Sequence, residues 1–155
     1  MRIKKLFYPK ILLIVTILFC GCSWILPQKA KFFEDYDLST GEFKLLVFGQ
    51  EGMWIDDYRD FYIDDIEVLK KMQKQWVFRF KSSVMACGFG YRIMFVDRDR
   101  VINEAWVNIQ RGCEYMVWFD WLRFPKRFLL DHKAHFRRMT ETEREYFLYK
   151  FAGNY

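Results

Sequence analysis

Two histidines three positions apart are the residues best suited to hold a metal ion. His132 and His135 stand with Asp131 in the sequence DHKAH, and on a helix this spacing places both imidazoles on one face. They could bind zinc there, but a catalytic site needs a further ligand and the chain has no other histidine. Nearby basic side chains would also repel a cation: Lys126, Arg127, Lys133, Arg137 and Arg138. We therefore predict a solvated helix face and no metal site.

Nucleophiles for covalent catalysis are also scarce. Ser39, Ser82 and Ser83 lie in no nucleophile-elbow pattern, and a Cys-His pair would need Cys87 or Cys113 as a free thiol. The sequence GFGYRI, residues 88–93, lacks the third glycine of a dinucleotide-binding loop. We predict neither a cofactor nor a catalytic residue.

Clustered aspartates are the remaining group that could catalyse a reaction. Two carboxylates that flank a glycosidic bond can hydrolyse it, and one short segment holds five of them: Asp56, Asp57, Asp60, Asp64 and Asp65. Crowded carboxylates also shift one another's pKa without any catalytic purpose. A small periplasmic hydrolase is therefore an alternative, and the main prediction is a protein that is not an enzyme.

The same segment, WIDDYRDFYIDD at residues 54–65, has the composition of a recognition surface. Aromatic residues anchor protein interfaces, and the aspartates between them would steer a basic partner. The predicted contact residues are Trp54, Asp56, Asp57, Tyr58, Asp60, Phe61 and Tyr62. The alternative is structural: the aromatic side chains face the core and the aspartates face water, with the basic C-terminal segment alongside.

Charge is distributed unevenly along the chain. Of the net +5, four charges lie on Arg2, Lys4, Lys5 and Lys10, so residues 22–155 hold 21 basic and 20 acidic residues. This balance gives no indication of nucleic-acid binding. Residues 34–67 contain eleven acids and two bases, whereas residues 123–138 contain six bases and one acid. Either the two regions face each other in the fold, or one presents its charge to a partner.

The N-terminus has the order of parts found in a bacterial export signal. A basic stretch over residues 1–10 precedes the apolar run from Ile11 to Phe19, and FCGC follows at residues 19–22. FCGC resembles a lipobox, the processing site of bacterial lipoproteins. The resemblance implies cleavage after Gly21, acylation of Cys22 and, because Ser23 follows, sorting to the outer membrane.

An uncleaved membrane anchor is the alternative, and both outcomes give the same orientation. Positive residues before the apolar run stay in the cytoplasm, so the rest of the chain faces the periplasm or the exterior. We divide the chain into a signal peptide or anchor at residues 1–21, a tether at residues 22–40 and a single domain at residues 41–155.

Hydrophobic periodicity predicts an α+β domain, with an antiparallel sheet of about four strands, one inserted helix and two C-terminal helices. The predicted strands cover residues 42–49, 75–81, 90–97 and 105–113, and the aromatic segment 115–124 continues or follows the last of them. The first predicted helix covers residues 65–75 and follows a capping box of Asp64 and Glu67. The second is a basic helix from Pro125 to Arg138. The third runs from Thr140, which forms a capping box with Glu143, to about Gly153.

The third and fourth strands also predict a disulfide. If residues whose numbers sum to 200 face each other, Phe95 pairs with Ala105, one face becomes continuously apolar, and Cys87 lies opposite Cys113. In an oxidising compartment such a pair forms a disulfide. Closing a loop of about 27 residues contributes roughly 3.5 kcal/mol in the chain-entropy model.

The sequence therefore predicts a lipid-anchored extracytoplasmic protein of the cell envelope that acts by binding. Its expected partners are the membrane and a basic protein, as for an inhibitor or immunity-type protein. A structural or envelope-assembly lipoprotein that uses residues 115–124 as its contact is the second prediction, and the hydrolase is the third.

Overall fold

The computed structural model describes residues 29–34, 36–50, 55, 58–80 and 87–152. Its elements are β1 (Lys29–Lys31), β2 (Phe43–Gly49), β3 (Asp60–Ile63), α1 (Ile66–Gln75), β4 (Val77–Arg79), β5 (Tyr91–Asp97), β6 (Arg100–Asn108), β7 (Tyr115–Val117), β8 (Trp121–Arg123), α2 (Arg127–Leu130), a 3-10 helix (Lys133–His135), β9 (Arg137–Arg138) and α3 (Glu141–Ala152). Seven strands of this part form one antiparallel sheet in the order β8-β7-β6-β5-β2-β3-β9, and β1 pairs with β4 in a separate ribbon. The predicted α+β class is confirmed, whereas the sheet is larger than expected.

The additional strands are short, which is why periodicity did not predict them. β3, β7, β8 and β9 contain between two and four residues each, fewer than an alternating pattern needs to stand out. Residues 60–63 lie outside the predicted strands but form β3, which pairs with β2 from Phe48↔Asp60 to Leu45↔Ile63.

β2 and β5 form the centre of the sheet and are buried on both faces. Leu45 and Val47 of β2 point into a main core, whereas Leu46 and Phe48 point into a second core on the opposite face. The main core lies under α1 and the β1-β4 ribbon, and the second lies under α3. A strand covered on both faces has a continuous apolar sequence, and this explains FKLLVFG in β2.

α1 is fixed by side chains at both ends. Asp65, rather than the predicted Asp64, is the N-cap: its carboxylate accepts hydrogen bonds from the backbone amides of Glu67 at 3.0 Å and Val68 at 3.3 Å. These donors favour the charged form, and the bond from Val68 is the main cause that lowers the pKa of Asp65. At the other end, the buried indole of Trp76 donates to the carbonyl of Phe128 at 3.0 Å.

The folded domain begins before residue 41. Residues 29–31 form β1, and the rings of Phe32 and Phe33 are buried against Trp76, with centroids 5.7 and 5.1 Å away. Leu38 also belongs to the main core. The tether predicted over residues 22–40 is therefore wrong for residues 29–34 and 36–40, because apolar side chains there are removed from water.

The segment between β8 and α3 is not the single basic helix that was predicted to begin at Pro125. The four-residue α2 and the 3-10 helix are followed by β9, which pairs with β3. The helical stretch stops at Phe136, whose backbone is extended and whose ring stacks on Phe61 with centroids 4.0 Å apart. A continuous helix would remove this buried aromatic pair from the core.

α3 follows the predicted capping box. The backbone amide of Thr140 donates to Glu143 Oε2 at 2.8 Å, and the amide of Glu143 donates to Thr140 Oγ1 at 3.2 Å. The bond from Thr140 is the main reason why the pKa of Glu143 is lowered. The helix then runs to Ala152, and Phe147 and Phe151 pack onto the second core.

The hairpin of β5 and β6 has a register two residues away from the predicted one. Tyr91 pairs with Val107, so that paired numbers sum to 198, and a bulge after Phe95 lowers the sum to 197 toward the turn. A shift of two residues keeps every side chain on its face, and the predicted apolar face is retained. The turn is tighter than the predicted loop and places Arg98 at a φ of 51°.

Cys87 and Cys113 lie at disulfide distance, with Cα atoms 6.1 Å apart, as the sequence predicts. They stand beyond the ends of β5 and β6, beside Gly88 and Gly112, whose φ values of 69° and 85° suit glycine. The buried side chain of Asn108 holds this region by donating to the carbonyls of Cys87 at 3.2 Å and Gly88 at 2.8 Å.

Removal of the disulfide should lower the stability of the domain. We expect Cys87→Ser with Cys113→Ser to lose roughly 3.5 kcal/mol of the free energy of unfolding, because the bridge no longer restricts the unfolded chain. Urea denaturation followed by tryptophan fluorescence measures this change. Reduction of the wild-type protein should shift its midpoint to that of the variant, and an unchanged midpoint would contradict the bridge.

Candidate functional site

The predicted contact surface is only partly exposed. Trp54, Asp56 and Asp57 lie outside the described residues. Phe61 is fully buried in the main core, where it packs on Phe136. Its ring is a core side chain and is not placed to contact a partner, contrary to the prediction.

The two predicted tyrosines are half-buried beside cations of their own chain. Arg138 lies 4.9 Å from the ring centroid of Tyr58, and Arg137 lies 6.0 Å from that of Tyr62. Such contacts stabilise a cation over an aromatic face. The rings therefore already take part in packing between β3 and β9.

Asp60 is enclosed in an ion-pair network. Its side chain is 8% exposed and lies 3.3 Å from Arg59 Nε and 3.2 Å from Arg144 Nε of α3. Its Oδ1 also accepts a hydrogen bond from the backbone amide of Gly49 at 3.0 Å. A carboxylate balanced by two guanidinium groups attracts a distant partner only weakly. Asp60 joins β3 to α3 and is not placed as the predicted contact residue.

The acidic and basic regions of the sequence face each other. β9 lies beside β3, where Arg137 comes within 2.8 Å of Asp64, and the 3-10 helix brings His135 to 3.4 Å from Asp65. The negative charge of Asp64 is the main cause that raises the pKa of Arg137. For these residues, the predicted alternative in which the two regions face each other is confirmed.

The described aspartates of the cluster each have a structural partner. Asp60 is ion-paired, Asp65 caps α1, and Asp64 binds Arg137. Asp64 also lines a shallow depression of about 530 Å³ in which Glu42 is the other carboxylate. The geometry gives these aspartates roles in folding and does not favour the predicted hydrolase.

The two histidines have separate partners rather than a common ligand position. His132 is buried, with Nε2 2.9 Å from Gln75 Oε1, whereas His135 lies beside Asp65 on the surface. The predicted solvated helix face is therefore wrong for His132. Burial lowers the pKa of this imidazole against the opposing charge of Asp131. Within the described ranges, no group of three or more His, Cys, Asp or Glu side chains is arranged to hold a metal ion.

The outward face of α3 carries two exposed tyrosines beside carboxylates. Tyr146 is 52% exposed and Tyr149 is 88% exposed, and Glu141 and Glu145 are exposed on the same helix. Residues three or four apart are neighbours on a helix, so these four side chains form one surface, which we name the tyrosine face. Arg144, the base within this stretch, is 25% exposed and lies 3.6 Å from Glu141.

Sequence reasoning did not identify the tyrosine face, although the helical spacing contains the signal. Phe147 and Phe151 stand four residues apart and are directed to the second core, which places Tyr149 on the opposite side of the helix. The clustered aspartates were the more conspicuous pattern, but those that the structure describes, Asp60, Asp64 and Asp65, have partners within the fold.

A second exposed aromatic surface lies at the β8 end of the sheet. Phe119 is 63% exposed at the tip of the β7-β8 hairpin, Trp121 is 38% exposed on β8, and Phe80 is 36% exposed after β4. Phe80 forms a bridge with Leu122, and its ring centroid lies 5.9 Å from that of Phe119. Trp121 precedes Leu122 on β8, so its side chain lies on the opposite face of the sheet, where it stacks on Phe89. We name Phe80, Phe119 and Trp121, which share this end of the sheet, the aromatic edge. A shallow groove of about 460 Å³ borders it, lined by Ala30, Lys31, Glu34, Tyr36, Trp118 and Phe119.

Comparisons of this chain with protein-family models, with curated proteins and with solved structures found no match. In the part of the chain that the structure describes, no helix is both long and apolar enough to cross a bilayer. The functional proposal therefore depends on the sequence and on the two exposed surfaces.

The buried His132 should make stability depend on pH. Because burial lowers its pKa below the ordinary value of 6.5, the unfolded chain takes up the proton first as the pH falls. The stabilisation is therefore complete above this value and is lost progressively below it. We expect the urea midpoint to fall between about pH 7.5 and about pH 5, and to fall less in His132→Gln. The substitution itself changes the urea midpoint, so each protein is compared with its own midpoint at the higher pH. An equal fall of the midpoint in both proteins would contradict this role.

Proposed function

We propose that this protein is a lipid-anchored extracytoplasmic binding protein that captures a basic protein partner through the tyrosine face. The observation that carries the proposal is the exposure of Tyr146 and Tyr149 on a helix whose other side is packed into the second core. Exposed apolar groups that stand together, rather than singly, mark interaction sites, and tyrosine is among the residue types that dominate binding energy.

The chemistry of the tyrosine face suits lysines or arginines on a partner. A phenol ring offers a rigid apolar area, a hydroxyl that forms hydrogen bonds, and a face that attracts cations. Within the domain, Lys150 Nζ lies 5.3 Å from the ring centroid of Tyr146 and donates to its hydroxyl at 3.0 Å. Glu145 would add attraction for a basic surface, whereas Glu141 already lies 3.6 Å from Arg144.

α3 is held firmly enough to present these side chains in a fixed arrangement. Thr140 and Glu143 cap its N-terminus, Arg144 joins it to Asp60, and Phe151 is buried. A preformed surface avoids the ordering cost that a mobile segment incurs on binding.

The helix that carries the tyrosine face adjoins β3 of the predicted contact segment through its inward side. The ring centroids of Tyr62 on β3 and Phe147 on α3 are 6.2 Å apart. Trp54, Asp56 and Asp57 precede β3 in the chain, lie outside the described residues and stay predicted contact residues.

Membrane attachment is part of the proposal. FCGC resembles a lipobox, so we propose cleavage before Cys22, acylation of that cysteine and sorting to the outer membrane through Ser23. A domain held by the Cys87 and Cys113 pair suits an oxidising compartment. An inhibitor or immunity-type protein fits these features, because it needs a binding surface and a fixed location in the cell envelope.

An envelope-assembly lipoprotein is the second candidate, and the exposure of Phe119 favours it. The predicted contact segment of that candidate, residues 115–124, forms the β7-β8 hairpin, and its tip is 63% exposed. The two candidates use surfaces on different elements, so one set of variants separates them.

Substitution of both tyrosines should reduce partner capture. We expect Tyr146→Ala with Tyr149→Ala to lower recovery of a protein partner from envelope extract about tenfold or more, because aromatic anchors carry much of an interface's binding energy. Affinity capture with the full chain, followed by quantitative mass spectrometry, measures recovery. Both side chains are exposed, so the thermal midpoint should hardly change.

Phe119→Ser is the matched control, because it removes an exposed aromatic ring from another element. Partner recovery that falls with Phe119→Ser but not with the tyrosine variant would favour the envelope-assembly candidate. Recovery that is unaffected by either variant would contradict both surfaces.

Acylation should depend on Cys22. We expect incorporation of a labelled fatty acid to be lost in Cys22→Ser and retained in Cys20→Ser, because Gly21 precedes the cysteine that the lipobox acylates. Gel fluorography of the membrane fraction measures the label. Persistent labelling of Cys22→Ser would contradict the site, and a membrane-bound wild-type chain without label would indicate the uncleaved anchor.

A further inference from the structure

The aromatic edge lies beside the first described residues of the domain. Lys29 begins β1, β1 pairs with β4, and Phe80 follows β4 to its bridge with Leu122 of β8. Lys31 and Phe119 line the same groove. The first described residues therefore share one end of the molecule with the exposed aromatic side chains.

Cations surround the aromatic edge. The exposed bases here are Lys29, Lys31, Arg79 and Arg123, and the exposed acids are Glu34 and Asp120. Asp120 accepts a hydrogen bond from the backbone amide of Trp121 at 2.6 Å, so its carboxylate is engaged at the hairpin tip. A surface of this composition suits the headgroup region of an anionic bilayer. Aromatic side chains lie at the level of the headgroups, and basic side chains are attracted to the lipid phosphates.

The proposed attachment point restricts how far this end can lie from lipid. Six residues, 23–28, separate Cys22 from Lys29, and an extended chain spans at most about 3.5 Å per residue. Lys29 therefore lies no more than about 25 Å from an acylated Cys22. A compact domain of about 125 residues has a radius of gyration of about 14 Å and therefore a diameter of about 36 Å. Because residues 23–28 span less than this diameter, the side of the domain opposite Lys29 cannot face the membrane.

We propose that the aromatic edge docks on the anionic headgroup surface of the membrane that holds the chain, with Phe80, Phe119 and Trp121 in the interfacial layer. The inference rests on the membrane attachment of the proposed function. It extends that function, because it assigns the face of the domain that touches lipid.

This orientation leaves the tyrosine face accessible. α3 packs over residues of β2, β3 and β5 in the second core, whereas the aromatic edge lies at β8. The sheet order separates β8 from β5 by three strand spacings and from β3 by five, or about 14 Å and about 24 Å. A docked domain directs β3, β9 and α3 away from the bilayer, toward a partner.

Hydrogen exchange on the full chain tests the docking. The purified protein is reconstituted into phosphatidylcholine vesicles with and without phosphatidylglycerol, and exchange is followed by mass spectrometry of peptides. We expect the amides of residues 118–121 to exchange about tenfold more slowly in the anionic vesicles, while those of α3 stay unchanged. Equal exchange of residues 118–121 in the two vesicle types would overturn the proposal.

Two pairs of variants separate the aromatic and the electrostatic contributions. Phe80→Ser with Phe119→Ser should restore fast exchange in anionic vesicles, and Tyr146→Ala with Tyr149→Ala should leave the slow exchange intact. Lys29→Glu with Arg79→Glu should also restore fast exchange, whereas Lys74→Glu on α1 should not. Because all these side chains are exposed or half-exposed, an unchanged thermal midpoint shows that the fold is retained. Slow exchange that persists in the first variant would overturn docking through the aromatic edge.

The mass of the N-terminal peptide from the same preparation distinguishes this proposal from the proposed function. If Cys22 is acylated but the amides of residues 118–121 exchange equally in both vesicle types, the docking is overturned and the lipid anchor is supported. A protected hairpin on an unprocessed chain supports the docking and overturns acylation. Protection of residues 118–121 that appears only after a protein partner is added assigns the aromatic edge to a protein contact and overturns docking on lipid.

Discussion

Burial of β2 and β5 on both faces is the constraint on which the rest of the domain depends. Leu46 and Met94 would be exposed to water if one face of the sheet were left open, and each large apolar side chain contributes about 1.5–3 kcal/mol when it is buried. The cover comes from distant parts of the chain: β1, β4 and α1 on one side and α3 on the other. α3 is therefore an integral layer, and its inward residues determine which of its side chains face outward.

Opposite charges then determine how these layers meet at the β3 edge. Arg137 of β9 binds Asp64, and Arg144 of α3 binds Asp60. Exposed ion pairs contribute little stability, but opposite charges favour one arrangement of segments over its alternatives. Among the described residues, Asp60 and Asp64 thus have partners within the fold, and the tyrosines proposed for recognition lie outside these ion pairs.

Features with a strong local signal could be predicted from the sequence. The apolar run of β2, the helix after Asp65 and the capping box of Thr140 with Glu143 each depend on neighbouring residues, and each is present in the structure. The pairing of cysteines was also predicted, although the assumed register was two residues away, because a shift of two preserves the faces of both strands.

Features that depend on contacts between distant residues could not be predicted in this way. Nothing near Phe136 in the sequence shows that its ring stacks on Phe61, yet that contact replaces the predicted helix by β9. Phe32 and Phe33 belong to the core because they pack on distant residues, Trp76 on both and Phe95 on Phe33. The candidate site differs from the predicted contact segment for the same reason. The fold buries Phe61 and Asp60 and leaves Tyr146 and Tyr149 exposed.

The sheet also explains how one small domain can keep two surfaces apart. The helix that carries the tyrosine face packs over the central strands β2 and β5 and over β3, whereas the aromatic edge lies at β8, one end of the strand order. Cys113 lies between β6 and the β7-β8 hairpin, and Cys87 lies in the segment before β5. The pair therefore joins these two segments. Phe89 of the segment before β5 stacks against Trp121 with ring centroids 6.3 Å apart. The cysteine pair and this ring contact therefore connect the hairpin to the central strands of the sheet.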